Sequence, residues 1–316
     1  MRAFAAETRH PESFMRMWGL PAFLLLSIPA FAGALPDSVA ASAATEPVAT
    51  LKLEPYRRSV AVRVVANGKS GLFSFDTAGG HTVVSPEFAA RVGCTPWGRM
   101  GGYNMTGKRL DMARCDDVGF EVDGFPLVAP VAGVMQVAPL MAADAAPIDG
   151  LLALDVFAGR TITLDFAGGH LYVESPASAA RRIADAREMP VRLSREAQGL
   201  ALAVEMEVPT PNGIVRFEVD SGNGGTLLVS KEYATLFGLD PAKEGPQPAR
   251  IPLGGGIVAE GLAFVPELNI DGNLGMPFLK DWVVTLDLAA GRMWLRRSDV
   301  PPPPGMGVPP VPAPGS

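Results

Sequence analysis

The chain has 316 residues, 48% of them hydrophobic and 19% charged, so it can bury a sizeable core and is not a disordered polyelectrolyte. Lys and Arg number 27 against 33 Asp and Glu, a net charge of -6 that argues against a surface built to neutralise nucleic-acid phosphates. Three histidines and two cysteines are too few for a zinc or iron site of imidazole and thiolate, so no metal and no cofactor is expected.

Residues 18–35, WGLPAFLLLSIPAFAGAL, are nearly free of charge, follow Arg2, Arg9 and Arg16, and precede small-residue patterns at Ala30-Phe31-Ala32 and Ala41-Ser42-Ala43. That is the layout of a secretory signal peptide, so residues 1–43 are expected to be removed and the protein exported to a periplasm or the medium. Met15 and Met17 offer later starts. The alternative is an anchor formed by residues 18–35, although Pro21 and Pro29 interrupt the apolar run and no stable span is expected after cleavage. Export puts Cys94 and Cys115 in an oxidising compartment, where a disulfide and two buried free thiols both fit the count.

The middle of the chain repeats. LFSFDTAGGHTVVSPEFAARVG at 72–93 is matched by VRFEVDSGNGGTLLVSKEYATLFG at 215–238, with one residue inserted after Val84. Each is an alternating apolar strand ending in Asp and a hydroxyl residue, then a small-residue turn, a second strand and a short amphipathic helix. DGLLALDVFAGRTITLDFAGGHLYV at 149–173 is matched without a gap by DGNLGMPFLKDWVVTLDLAAGRMWL at 271–295. Frequent turn dipeptides such as Asn67-Gly68 and Asp123-Gly124 separate β-branched runs, which predicts an all-β protein. Residues 177–188 form the best helical window between the copies, and the boundary is placed near residue 180. Residues 44–180 and 181–299 are each about the length of a small domain and are expected to form two similar β lobes that meet at a cleft. The proline-rich end, residues 300–316, is expected to be a disordered, solvated tail.

An Asp that ends a strand before a hydroxyl and glycines would, taken once, be a turn cap. Its duplication changes the reading, because two such turns about a pseudo-twofold axis would bring Asp76 and Asp220 together. Carboxylates in contact share a proton and titrate in separated steps, and such a pair can activate a water while polarising a carbonyl. Thr77 and Ser221 supply hydroxyls suited to bonds that fix the two turns.

At FSFDTAGGHTVVS with GLLALDVF, and at FEVDSGNGGTLLVS with GNLGMPFL, the sequence resembles the retropepsin-like and pepsin-like aspartic proteases over roughly residues 50–297. The lobes are short enough to look like two fused retropepsin units. The resemblance implies a bilobal acid-protease-like fold of two β-barrel lobes with short helices and a cleft between them, and a cofactor-free aspartic endopeptidase acting on peptide or protein substrates; the leader makes it exported, and two lobes in one chain make a monomer the expectation. It implies catalytic Asp76 and Asp220, supporting Thr77 and Ser221, and a flap hairpin at residues 101–107 with Tyr103 closing over the substrate. Two glycines of the pattern are replaced in the first lobe, by Ala78 and Ala153, while the second keeps Gly222 and Gly275. Those departures favour the alternative, a non-catalytic peptide-binding protein of the same bilobal fold.

Other candidates carry less. His81 and His170 accompany no Gly-x-Ser-x-Gly elbow and read as turn or surface residues, with His81 near enough to Asp76 to affect it. Gly254 to Gly256 lack the lysine of a phosphate loop and read as a hairpin tip. Asp149, Asp165, Asp271 and Asp287 recur with the repeat and read as turn caps. A glycosidase carboxylate pair is defined by separation in a sugar cleft, not by this motif.

Overall fold

A computed structural model describes residues 45–140 and 145–308, about half of them in strands. The expected signal peptide at 1–43, the anchor alternative at 18–35 and the last residues of the tail lie outside the described residues. Among the described residues no helix is long and apolar enough to cross a membrane.

The first half contributes an eight-stranded sheet and the second a seven-stranded one, and a six-stranded sheet is shared by both. Each half has an early hairpin; buried and part-exposed residues alternate along most of Ala203–Thr210 and Gly213–Val219 in the second, whereas residues 59–62 and 73–75 in the first are buried without a break. In Ser59–Ala66 and Lys69–Asp76 the turn is Asn67-Gly68, with φ of 45° and 70°, the left-handed pair that a two-residue hairpin turn requires. The second strand of each hairpin then pairs in parallel with a short strand from later in the same half: Lys69–Asp76 with Gly150–Ala153, and Gly213–Val219 with Gly272–Leu274. Phe73, Phe75, Phe217 and Leu274 fill the space beneath.

The shared sheet shows how the repeat is used. Its order runs Ala49–Lys52, His170–Val173, Thr161–Asp165, Trp282–Asp287, Arg292–Arg297, Arg187–Met189, so each strand of one half has its counterpart at the mirrored place. The central pairing is antiparallel with Thr163 opposite Thr285, and their hydroxyls lie 3.0 Å apart. These two residues occupy the same position in the two copies, so the pseudo-twofold axis passes between them.

Two local expectations change and one open alternative is decided. The window 177–188 is helical only over Pro176–Ile183, capped by Ser175, because Arg187–Met189 is drawn into the shared sheet against Met293–Leu295. Residues 301–308 do not leave the body as a solvated tail: Met306 is 3% exposed and the Gly307 N–H donates to Arg58 O at 2.9 Å. Between the two cysteine alternatives, Cys94 and Cys115 form a disulfide with Cα atoms 6.2 Å apart. It ties the segment after the helix Pro86–Arg91 to the strand Arg109–Val122. Replacing both cysteines by serine is expected to lower stability by about 3 kcal/mol. Denaturant unfolding checks this, and an unchanged midpoint would show that the crosslink is energetically idle.

Candidate functional site

Asp76 ends the strand Lys69–Asp76 and Asp220 follows the strand Gly213–Val219, and the structure brings the two carboxyls into hydrogen-bonding contact. The turns that carry them are braced across the halves. The Thr77 hydroxyl donates to Val219 O at 2.6 Å and accepts from the Ser221 N–H at 2.9 Å. The Ser221 hydroxyl reciprocates, donating to Phe75 O at 2.9 Å and accepting from the Thr77 N–H at 3.1 Å. Both residues are fully buried, so the four bonds are shielded from water. Gly222 is required by closeness: a Cβ there would lie 2.6 Å from the carboxyl carbon of Asp76.

Asp76 accepts the Ala78 N–H at 3.0 Å. Asp220, only 3% exposed, accepts the Asn223 N–H at 3.1 Å and the Asn273 amide at 2.6 Å. Burial raises the Asp76 carboxyl to about 8, with the charge of Asp220 adding to the rise. Burial also raises Asp220, while the Asn273 amide and the Asn223 N–H oppose it. A third acid, Glu218, lies two residues before Asp220 on the same strand face. It is raised to about 9 by burial first and then by Asp220, Asp76 and Glu205. Glu218 was missed by the motif, although strand alternation places residues i and i+2 on one face. Asn223 and Asn273 were missed too; they stand where the first copy has Gly79 and Leu151, so the signal was a polar departure in the second copy.

These acids floor a cleft of about 750 Å³ between the halves. The hairpin Trp97–Tyr103 and Arg109–Val122 forms its roof, with Tyr103, Asn104, Met105 and Leu110 facing the cavity. Tyr103 is 66% exposed. The turn of this hairpin crosses to the other half, where Met105 O accepts the Asn269 N–H at 2.8 Å.

The remaining sequence candidates fall elsewhere. Asp165 and Asp287 cap turns, accepting from Gly168 and from Ala289 and Ala290. Asp149 and Asp271 do something different, each accepting a strand N–H, from Leu72 and Arg216. His81 is not a surface residue: its side chain is 11% exposed, 3.7 Å from Asp155, and neither ring nitrogen has a hydrogen-bond partner. His170 stacks on Tyr172 in the shared sheet. Gly254 to Gly256 lie at the hairpin tip between Gln247–Gly254 and Ile257–Phe264.

The fold defines a two-half β protein with a roofed interhalf cleft. Among the solved structures similar to it are two seed globulins. One is basic 7S globulin from soybean, with a TM-score of 0.51 and 11% identity over 79% of this chain and 94% of that chain. The other is conglutin gamma, a unique basic 7S globulin from lupine seeds, with a TM-score of 0.50 and 9% identity over the same shares, 79% and 94%. At such identities the likeness concerns the fold alone. No protein-family model matches the chain, and no curated protein sequence does either.

These findings correct two expectations. The chain is not assigned to the retropepsin-like or pepsin-like aspartic proteases, because no family model matches it and the two fold neighbours named above are seed globulins. The aspartic-type endopeptidase expected from that resemblance falls with it. The physical source of the misreading is visible in the turns. The hydroxyls of Thr77 and Ser221 are consumed in bracing, and Gly222 answers to crowding, so these three residues of the motif have an architectural role.

Proposed function

We propose that this is a non-catalytic peptide-binding protein that takes an extended peptide in the cleft between two β-barrel lobes, residues 44–180 and 181–299. The cleft carries this reading. Its volume of about 750 Å³ lies in the range of ligand sites, and its floor is polar while its roof is a hairpin edge. An extended chain exposes carbonyls and N–H groups along its length, the partners that acids at the floor and backbone groups at a hairpin can meet. In this reading Asp76 and Asp220 contact the peptide backbone, Thr77 and Ser221 hold the turns that present them, and Tyr103 covers the ligand. The protein works as an exported monomer, since both lobes are in one chain and residues 1–43 have the layout of an export signal.

The test is fluorescence polarisation of the full chain against a pentapeptide library from acidic to neutral pH, with mass spectrometry of the same mixtures. Saturable binding of a subset without new fragments is the expected result. Fragments that vanish in Asp76→Asn and Asp220→Asn would overturn the non-catalytic reading, and no binding at any pH would remove the peptide.

A further inference from the structure

The two acids at the cleft floor have matched backbone surroundings and unmatched side-chain surroundings. The Asp76 carboxyl accepts one backbone N–H, from Ala78 at 3.0 Å, and the Asp220 carboxyl accepts one, from Asn223 at 3.1 Å. The second half adds a carboxyl, Glu218 in place of Ser74, which faces both acids, and one amide, the only added group that donates a hydrogen to Asp220. In the second half the residue opposite Glu218 on the parallel strand is Asn273, whose amide reaches Asp220 at 2.6 Å. In the first half the corresponding position, opposite Ser74, is Leu151, which has no hydrogen to donate.

The direction of the Asn273 amide follows from its neighbours. The Asn223 side-chain oxygen accepts the Gly225 N–H at 3.0 Å, so its nitrogen is the end that donates to Thr226 O at 2.7 Å and to Asn273 Oδ1 at 2.8 Å. With its oxygen facing that donor, Asn273 has only its nitrogen left for Asp220. An amide nitrogen cannot accept, so the oxygen it meets must act as acceptor. Asn273 is completely buried, and no water competes for the bond.

We infer that Asn273, oriented by Asn223, is a positioning residue that breaks the equivalence of the two acids: it fixes Asp220 as the acceptor, so that Asp76 carries the shared proton and presents it to a carbonyl oxygen of the ligand. The ligand part of this inference rests on the peptide-binding reading; the proton placement does not. The proton on Asp76 needs an acceptor, and the acceptor that an extended peptide presents along its length is the backbone carbonyl.

Carbon-13 carboxyl resonances of the full chain, assigned with Asp76→Asn and Asp220→Asn, report each proton directly. Asp220 is expected to lose its proton at lower pH than Asp76. Asn273→Leu, which copies the first half, should narrow or reverse that order, and Leu151→Asn combined with Asn273→Leu should exchange the roles. Leu151→Asn alone lies at a part-exposed position and should lower the Asp76 transition, so the inference stays testable even if Asn273→Leu unfolds. A wild-type order with Asp76 deprotonating first would overturn the inference, as would an order that none of these substitutions moves.

The ligand arm uses the tightest pentapeptide from the library, with each carbonyl changed in turn to a thiocarbonyl, a weaker acceptor. One position should lose about tenfold in affinity, roughly one hydrogen bond to a protonated acid. A uniform response along the peptide would remove the carbonyl contact. Failure of every peptide to bind would sink the proposed function while the titration order still stood.

Discussion

Raising the pH from about 5 to about 8 is expected to lower the stability of the folded protein, by about 1.4 kcal/mol per pH unit for each proton that the native state keeps and the unfolded chain has lost. Asp76 and Glu218 are the principal such groups. Burial lifts them from ordinary values of 3.8 and 4.5 to about 8 and about 9. Below the unfolded values both states are protonated and the stabilisation is complete. Between the unfolded and folded values only the native state holds the protons, so unfolding becomes easier with every step in pH. Asp220, raised by burial as well, acts in the same direction. Asp111 and Glu188 behave oppositely: hydrogen bonds from Arg109 and Arg292 lower them, and their contribution is lost as the pH falls through their folded values, well below this window. Urea unfolding across the range gives the slope directly. Glu218→Gln should remove about one proton's share of it, and a flat or rising profile in the wild type would show that the floor is ionised.

Breaking the brace between the two turns is the second large effect. Ser221→Ala removes the donor to Phe75 O and the acceptor for the Thr77 N–H, both fully buried, and is expected to cost about 3 kcal/mol. Thr77→Ala does the same to Val219 O and the Ser221 N–H. Because each hydroxyl bonds the other's backbone, the double substitution should cost less than the sum of the singles, and the shortfall measures the coupling. Ser221→Thr keeps the hydroxyl and serves as the conservative control. Additive single costs would mean that the two turns are held independently and that the cleft floor is not one mechanical unit.

The repeat made a good part of this architecture legible. Alternation with a terminal Asp at 72–76 and 215–220 shows two equivalent strands, and equivalence about an axis brings their ends together. What stayed hidden depends on contacts between segments remote in sequence. The bond from the Asn269 N–H to Met105 O links a hairpin turn to a loop more than a hundred residues away, and both partners are backbone atoms with no side-chain signature. Met306 sits in a proline-rich run whose composition reads as solvated, yet one apolar side chain and one free N–H are enough to dock it. The acids were read as a pair because the motif names two; Glu218 escaped although it obeys the same period. The motif also invited a chemical reading, because a turn that must be braced in a crowded place selects the same small and hydroxyl residues as one that must react.

The pairing of Thr163 with Thr285 carries a consequence for how the chain is assembled. The strand Thr161–Asp165 is complete long before its partner Trp282–Asp287 leaves the ribosome, so during synthesis the first half holds an unpaired edge at its centre. The sequence that follows supplies a near-replica of that half, and the edge is closed by the copy. A second nascent chain offers the same edge in the same antiparallel sense. Tandem duplication within one polypeptide therefore acts kinetically as well as structurally: it keeps the correct partner tethered at high local concentration while the seam waits to be sealed.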